Sequence, residues 1–189
     1  LKPLMLGGEH SISTGAVSAL AEIHPDMIMV QLDAHADLRE EWLGEKHSHA
    51  CAMKRCLEVL PSKKLFQVAI RSGTRNEFQE MKEQKRLVQF TPDQIASNLK
   101  QALSRHSGKP IYLTVDLDWF DPSVVPGTGT PEPGGFTWRD FATVIEIIKT
   151  HKVVAADIVE LAPNLDHSST SSIFAAKVTR SLLMLLSNT

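Results

Sequence analysis

Cysteine is scarce in this chain: Cys51 and Cys56 are the only two in 189 residues, which leaves no disulfide framework and makes a reducing compartment the default. Charge of one sign is equally lacking. Twenty Lys and Arg stand against 22 Asp and Glu, a formal net charge of −2, so there is no basic footprint for nucleic acid or an anionic membrane. No apolar run approaches the roughly 18 residues that cross a bilayer, and the start Leu1-Lys2-Pro3-Leu4 has no signal-peptide pattern. A cytoplasmic protein with no nucleic-acid or membrane partner is therefore expected. Repeats and Ser/Gly linkers are also missing, and 42% hydrophobic with 22% charged content suits one globular domain spanning residues 1–189.

Short apolar runs rich in β-branched residues, at 27–32, 67–71, 110–115 and 153–159, alternate with stretches of helical period. That alternation predicts an α/β domain with a mostly parallel sheet. Helices are expected at 11–22, 50–60, 93–106, 137–151 and 171–186. The spacing of Met53 and Leu57, of Ile95, Leu99 and Leu103, and of Phe141, Val144, Ile145 and Ile148 supplies one apolar stripe in each of three of them. Thr137 is placed to cap the fourth, with Asp140 three residues on. Residues 121–135 carry four prolines and four glycines, so they form neither helix nor strand. An ordered loop of that length in a compact domain is ordinarily functional.

The acids fall at the ends of the expected strands. Asp33 follows 27–32, Asp116 follows 110–115, and Glu160 closes 153–159. Parallel strands deliver their carboxyl ends to one edge, where the ligand crevice of such folds lies. Around two of these ends the ligand-type residues multiply, as Asp33-Ala34-His35-Ala36-Asp37 and Asp116-Leu117-Asp118. Alternation in extended backbone would point each set to one side. His10, after the Gly7-Gly8 turn, is a further candidate. A single aspartate at a strand end is ordinarily a helix cap or turn residue, but five acids in one crevice would repel one another without cations. Four carboxylates and two imidazoles, without thiolate, suit a borderline-hard divalent ion such as Mn²⁺, with Ni²⁺, Co²⁺ or Fe²⁺ as alternatives. Six ligands exceed the needs of one catalytic ion, and a two-metal site with shared carboxylates fits the count.

Gly7-Gly8-Glu9-His10-Ser11, Asp33-Ala34-His35-Ala36-Asp37, Ser48-His49-Ala50 and Val115-Asp116-Leu117-Asp118 resemble, in order, the signature blocks of the ureohydrolases, the arginase and agmatinase family. The loop block from Pro126 to Gly135 and Asp157-Ile158-Val159-Glu160 complete the set, so the resemblance covers residues 7 to about 166. It implies an arginase-like three-layer α/β/α fold and two Mn²⁺, with Ni²⁺ or Co²⁺ as alternatives. His10, Asp33, Asp37 and Asp116 would bind the first ion, and Asp33, His35, Asp116 and Asp118 the second. A metal-bridging hydroxide would attack the guanidinium carbon, Glu160 would hold the guanidinium, and His49 would shuttle protons. Agmatine, cleaved to urea and putrescine, is the implied substrate. Gly127 stands where arginases usually carry alanine, and Arg39 where they carry an asparagine that holds the amino-acid carboxylate. Guanidinobutyrate, guanidine or arginine are alternative substrates, and a non-catalytic metal-binding relative is the alternative to an enzyme. The resemblance also implies a homo-oligomer, trimer or hexamer, and a further amino-terminal section ahead of Gly7 with a strand and entrance loops.

The remaining candidates read more plainly. His47 is expected at the rim, and His24, His106 and His151 at surface or helix-end positions. Cys51 reads as a small buried hydrophobe and not as a nucleophile. Trp119 and Phe120 are expected to pack under the long loop, Arg71, Ser72 and Gly73 to shape the entrance, and 82–86 to form a solvated face. Glu9, beside His10, stands where many family members have aspartate.

Overall fold

The computed structural model describes residues 1–88 and 94–188. Its chain order is β1 (Leu4–Leu6), α1 (Ser13–Ile23), β2 (Ile28–Leu32), α2 (Ala52–Val59), β3 (Leu65–Val68), α3 (Arg75–Glu83), β4 (Leu87–Val88), α4 (Ile95–Leu103), β5 (Pro110–Asp116), α5 (Trp138–Ile148), β6 (Lys152–Val159) and α6 (Thr170–Asn188). Among the described residues the strands form one six-stranded sheet of order β1-β6-β5-β2-β3-β4, with every pair parallel.

Two apolar clusters sandwich that sheet. Side chains alternate across a strand, so Ile28, Val30 and Leu32 of β2 meet residues of α4, α5 and α6, including Leu99, Phe141 and Val178. Met29, on the opposite face, joins Val17 of α1, Met53 of α2 and Met81 of α3. The result is the three-layer α/β/α architecture. Register then sets the site: Leu32 pairs with Val115 and Asp116 with Val159, so Asp33, Asp116 and Glu160 arrive at one sheet edge.

Several boundaries differ from the sequence reading. The strand expected at 67–71 is β3, which starts at Leu65 and stops at Val68 because Ala69 takes φ +72° and turns the chain. The edge strands β1 and β4 are too short for a periodic signal. Helix α3 carries few apolar residues, and its start is set by a capping box in which Thr74 accepts from the Glu77 N–H and Glu77 accepts from the Thr74 N–H. The expected helical ends at 50, 106 and 151 fall on short 3₁₀ or turn segments instead, and the expected start at Asp93 lies outside the described residues. At the head of α5, Asp140 Oδ2 accepts from both the N–H and the hydroxyl of Thr137, at 2.8 and 2.7 Å. Residues 82–85 are exposed, whereas Arg86 is half-buried and pairs with Glu80 at 2.6 Å.

Trp119 and Phe120 are fully buried under the long loop: Trp119 stacks on Phe136 at 4.6 Å and donates its indole N–H to the Val68 carbonyl at 3.1 Å. Gly135 permits this closure. A side chain there would meet the Asp121 backbone nitrogen at 2.5 Å, where Asp121 binds back to the Phe136 carbonyl at 3.0 Å.

Candidate metal centre

His10 belongs to a buried cluster of ligand-type side chains. It opens a 3₁₀ turn ahead of α1, and its Nδ1 lies 3.1 Å from Asp33 Oδ2, 3.2 Å from Asp37 Oδ2 and 3.2 Å from Asp116 Oδ2. All four side chains are buried. The Nδ1 atom has no hydrogen-bond partner, so one ring nitrogen and three carboxylate oxygens converge on a single point; burial alone would lower the imidazole's pKa, but Asp116, Asp33 and Asp37 outweigh it and hold it well above the ordinary value. A second group forms beside it from Asp33, His35 and Asp118, with His35 Nδ1 2.8 Å from Asp118 Oδ2. Asp33 belongs to both groups, its Oδ2 facing His10 while its Oδ1 accepts the His35 N–H at 2.6 Å. Asp116 turns Oδ2 to the first group and accepts the Asp118 N–H on Oδ1 at 2.8 Å.

The structure therefore brings all six sequence candidates together, though not through extended backbone. Asp116 ends β5 and Asp118 lies in the 3₁₀ turn that follows, and a helical turn brings the two carboxylates to one place. Asp37 has φ +52° and Glu160 φ +65°, conformations that cost a side-chain-bearing residue roughly 1–2 kcal/mol. Backbone bonds hold both. Asp37 O accepts from the Met53 and Lys54 N–H groups at the start of α2, at 3.0 and 3.1 Å, and the Glu160 N–H donates to Gly8 O at 2.9 Å.

A cavity of about 300 Å³ opens on the cluster. Glu160 lines it and accepts the His10 N–H on Oε1 at 2.7 Å, while burial raises its carboxyl. His49 lies on the cavity wall, half-exposed, with Nδ1 3.8 Å from Glu9 Oε2. Glu9 also caps the His10 turn by accepting the Ser11 N–H at 3.1 Å. Arg39 and Trp42 line the same cavity, with the guanidinium 4.1 Å from the indole centroid. His47 is exposed, and Cys51 is a free buried thiol whose pKa is raised by burial.

Four residues that strand periodicity could not reveal support the cluster. Gln31, inside the β2 run, donates to Asp33 Oδ2 at 2.7 Å and is itself held by Gln67 of β3, its register partner, at 2.8 Å. Arg71 donates to the carbonyls of Glu132, Pro133, Asp118 and Trp119 and so staples the long loop onto the turn carrying Asp118. Thr130 of that loop donates to Asp118 Oδ2 at 3.2 Å. Arg71→Ala is expected to loosen the second group and weaken a divalent ion there roughly 10- to 100-fold, with chelator competition as the measurement. The fourth, Asp157, accepts the hydroxyl of Thr114, whose oxygen lies 2.8 Å from His10 Nε2.

Burial and carboxylate crowding leave this cluster rich in protons. Burial, then the charge of Asp118, raises Asp33 and Asp116. Burial, then Asp33, pushes Asp37 up to about 6. Burial alone would lower His35, but Asp118 outweighs it and pushes it to about 9. Asp118 alone goes the other way, because His35 outweighs the effect of burial; the raised groups hold more protons folded than unfolded, and their contribution to stability is lost as pH rises through about 6 for Asp37 and about 9 for His35. A divalent cation would replace those protons, so its stabilisation grows with pH. The rise in Tm on adding Mn²⁺ is expected to be larger at pH 8.5 than at pH 5.5, and an equal rise at both would contradict it. A buried imidazole nitrogen without a hydrogen-bond partner amid carboxylates, and a carboxylate shared by two ligand groups, fit a pair of divalent ions.

The family model described as Arginase family matches residues 1–185. The chain is 38% identical over 184 residues to the agmatinase of Halalkalibacterium halodurans, covering 96% of this chain and 63% of that protein. It is 32% identical over 192 residues to the mitochondrial guanidino acid hydrolase of Homo sapiens, covering 97% of this chain and 54% of that protein. The crystal structure of the agmatine ureohydrolase of Thermoplasma volcanium superposes with a TM-score of 0.82 at 34% identity, over 99% of this chain and 63% of that one. The chain thus spans less than two thirds of the length of these relatives. Among the described residues no helix is long and apolar enough to cross a membrane. The matched family model and these identities establish that the chain belongs to the arginase family.

Proposed function

We propose that the chain hydrolyses the guanidino group of agmatine to urea and putrescine with two divalent cations, Mn²⁺ foremost. His10, Asp33, Asp37 and Asp116 would hold the first and Asp33, His35, Asp116 and Asp118 the second. The observation that carries this reading is the unpartnered Nδ1 of His10 facing three buried carboxylates. Two cations there would supply Lewis acidity and lower the pKa of a water held between them.

The chain's own groups have separate tasks. Glu160 has one oxygen fixed by the His10 N–H, and the carboxylate lines the cavity, where it can accept from a planar guanidinium and orient its carbon toward the cluster. His49 turns Nδ1 to Glu9, which leaves Nε2 to pass a proton to the departing amine and exchange it with solvent. Burial of Asp33, Asp116 and Asp118 keeps bulk water from screening the charges that act on the substrate.

Agmatine as substrate is supported by the relatives named agmatinase and by Arg39 at the position where the resemblance places an asparagine in arginases. The same Arg39, on the cavity wall, favours a guanidino acid as second reading, because its cation can pair with a carboxylate. Urea release by Mn²⁺-loaded protein from agmatine, guanidinobutyrate, arginine and guanidine decides between them. Agmatine is expected to give the highest kcat/KM; a higher value for guanidinobutyrate would replace it with the acid, and no urea from any of the four would overturn the enzyme. A homo-oligomer, trimer or hexamer, belongs to the same reading, as does a cytoplasmic setting, which the free thiols of Cys51 and Cys56 support.

A further inference from the structure

Asp157 is a buried carboxylate with no part in binding substrate or cation, and its partners account for every proton around it. It sits on β6 opposite Thr114 of β5, and it is fully buried. Its Oδ2 accepts the hydroxyls of Tyr112 at 2.5 Å and Ser13 at 2.7 Å, and its Oδ1 accepts the hydroxyl of Thr114 at 2.5 Å. Thr114 Oγ1 in turn lies 2.8 Å from Nε2 of His10.

A threonine hydroxyl has one proton, and here Asp157 takes it. Toward His10, Thr114 can then only accept, so Nε2 must carry the imidazole proton. Nδ1 of a neutral ring is left bare, and it is Nδ1 that faces Asp33, Asp37 and Asp116. We propose that Asp157 is a positioning residue that fixes the tautomer of His10 through Thr114 and so keeps Nδ1 available as a cation ligand. The inference rests on reading the cluster as a metal centre.

The arrangement is hard to explain as packing. A buried carboxylate surrounded by neutral hydroxyls carries a desolvation cost that an apolar residue on β6 would avoid. Its effect is directional. A neutral side chain with a donor at that place would let the Thr114 hydroxyl rotate and donate to Nε2, which moves the ring proton to Nδ1 and sets a hydrogen where a cation should be. Tyr112, Thr114 and Asp116 alternate along β5 and share one face, so one strand carries both Thr114, on the Nε2 side of His10, and Asp116, on its Nδ1 side.

The test measures Mn²⁺ bound per chain and its affinity by chelator competition in the wild type, Asp157→Asn, Thr114→Val and Thr114→Ser. Asp157→Asn and Thr114→Val are expected to weaken one of two ions roughly 10- to 100-fold while the other stays within about threefold, and Thr114→Ser, which keeps the hydroxyl, is expected to match the wild type. Should Asp157→Asn fail to fold, the Thr114→Val and Thr114→Ser pair gives the answer. Two ions held with wild-type affinity in Thr114→Val, or a Thr114→Ser protein as weak as Thr114→Val, would overturn the relay. A wild type that binds no Mn²⁺ would overturn the metal reading and the relay with it, a result distinct from either of those.

Discussion

Asp33→Asn is expected to abolish the binding of both cations and, with it, urea release by more than about 10³-fold, the scale set by several kcal/mol of Lewis-acid stabilisation. The expectation comes from the geometry of one side chain. Asp33 is common to both ligand groups, and each of its oxygens faces one of them. The substitution preserves size, so the β2 end should keep its shape, and an amide oxygen in the Oδ2 position keeps the local hydrogen bond from Gln31, two residues away. What it removes is a charge and one acceptor. The new amide must turn its donors toward His10 or toward His35, and either choice places hydrogens in a ligand position. Metal content and kcat measured together check this. A variant that retained two ions and a rate within about tenfold of wild type would remove Asp33 from its central place.

Glu160→Gln has the second largest expected effect, and it should separate from the first by leaving the cations in place. Glu160 is held by its strained backbone at φ +65°, by the Glu160 N–H bond to Gly8 and by the His10 N–H bond to Oε1. A glutamine can keep all three. It cannot accept from a guanidinium with both side-chain heteroatoms, and it brings no charge. Loss of a charge-assisted hydrogen bond, about 1.5–3 kcal/mol, corresponds to roughly 10- to 150-fold in kcat/KM. Two ions per chain with such a loss is the expected pattern. If the variant instead lost metal at unchanged kcat/KM per loaded site, Glu160 would be a support for His10 and not a substrate group.

The sheet-edge acids were legible in the sequence because an apolar run that ends in Asp or Glu marks both a strand and its direction. Asp33, Asp116 and Glu160 needed nothing more than that. The way neighbouring ligands reach the site was not legible. Asp37 and Glu160 adopt left-handed backbone held by bonds from α2 and to Gly8, which no local spacing encodes. Asp118 follows Asp116 around a helical turn where alternation suggested a strand. Gln31, Gln67 and Asp157 are polar residues inside otherwise apolar strands, and their meaning lies in which strand sits beside which. Arg71 acts through backbone carbonyls of a distant loop, so its role leaves no trace in side-chain pattern. Helix α3, by contrast, carried a readable signal in Thr74 and Glu77, three residues apart at the start of the helix.

The most direct test of a two-cation amidinohydrolase site is to titrate chelator-stripped protein with Mn²⁺ while following bound metal and urea release from agmatine in the same samples. Urea release that is absent in the stripped chain and rises to its full value only as the second equivalent binds is the expected result. Saturation of activity at one equivalent, or undiminished urea release from the stripped chain, would contradict it.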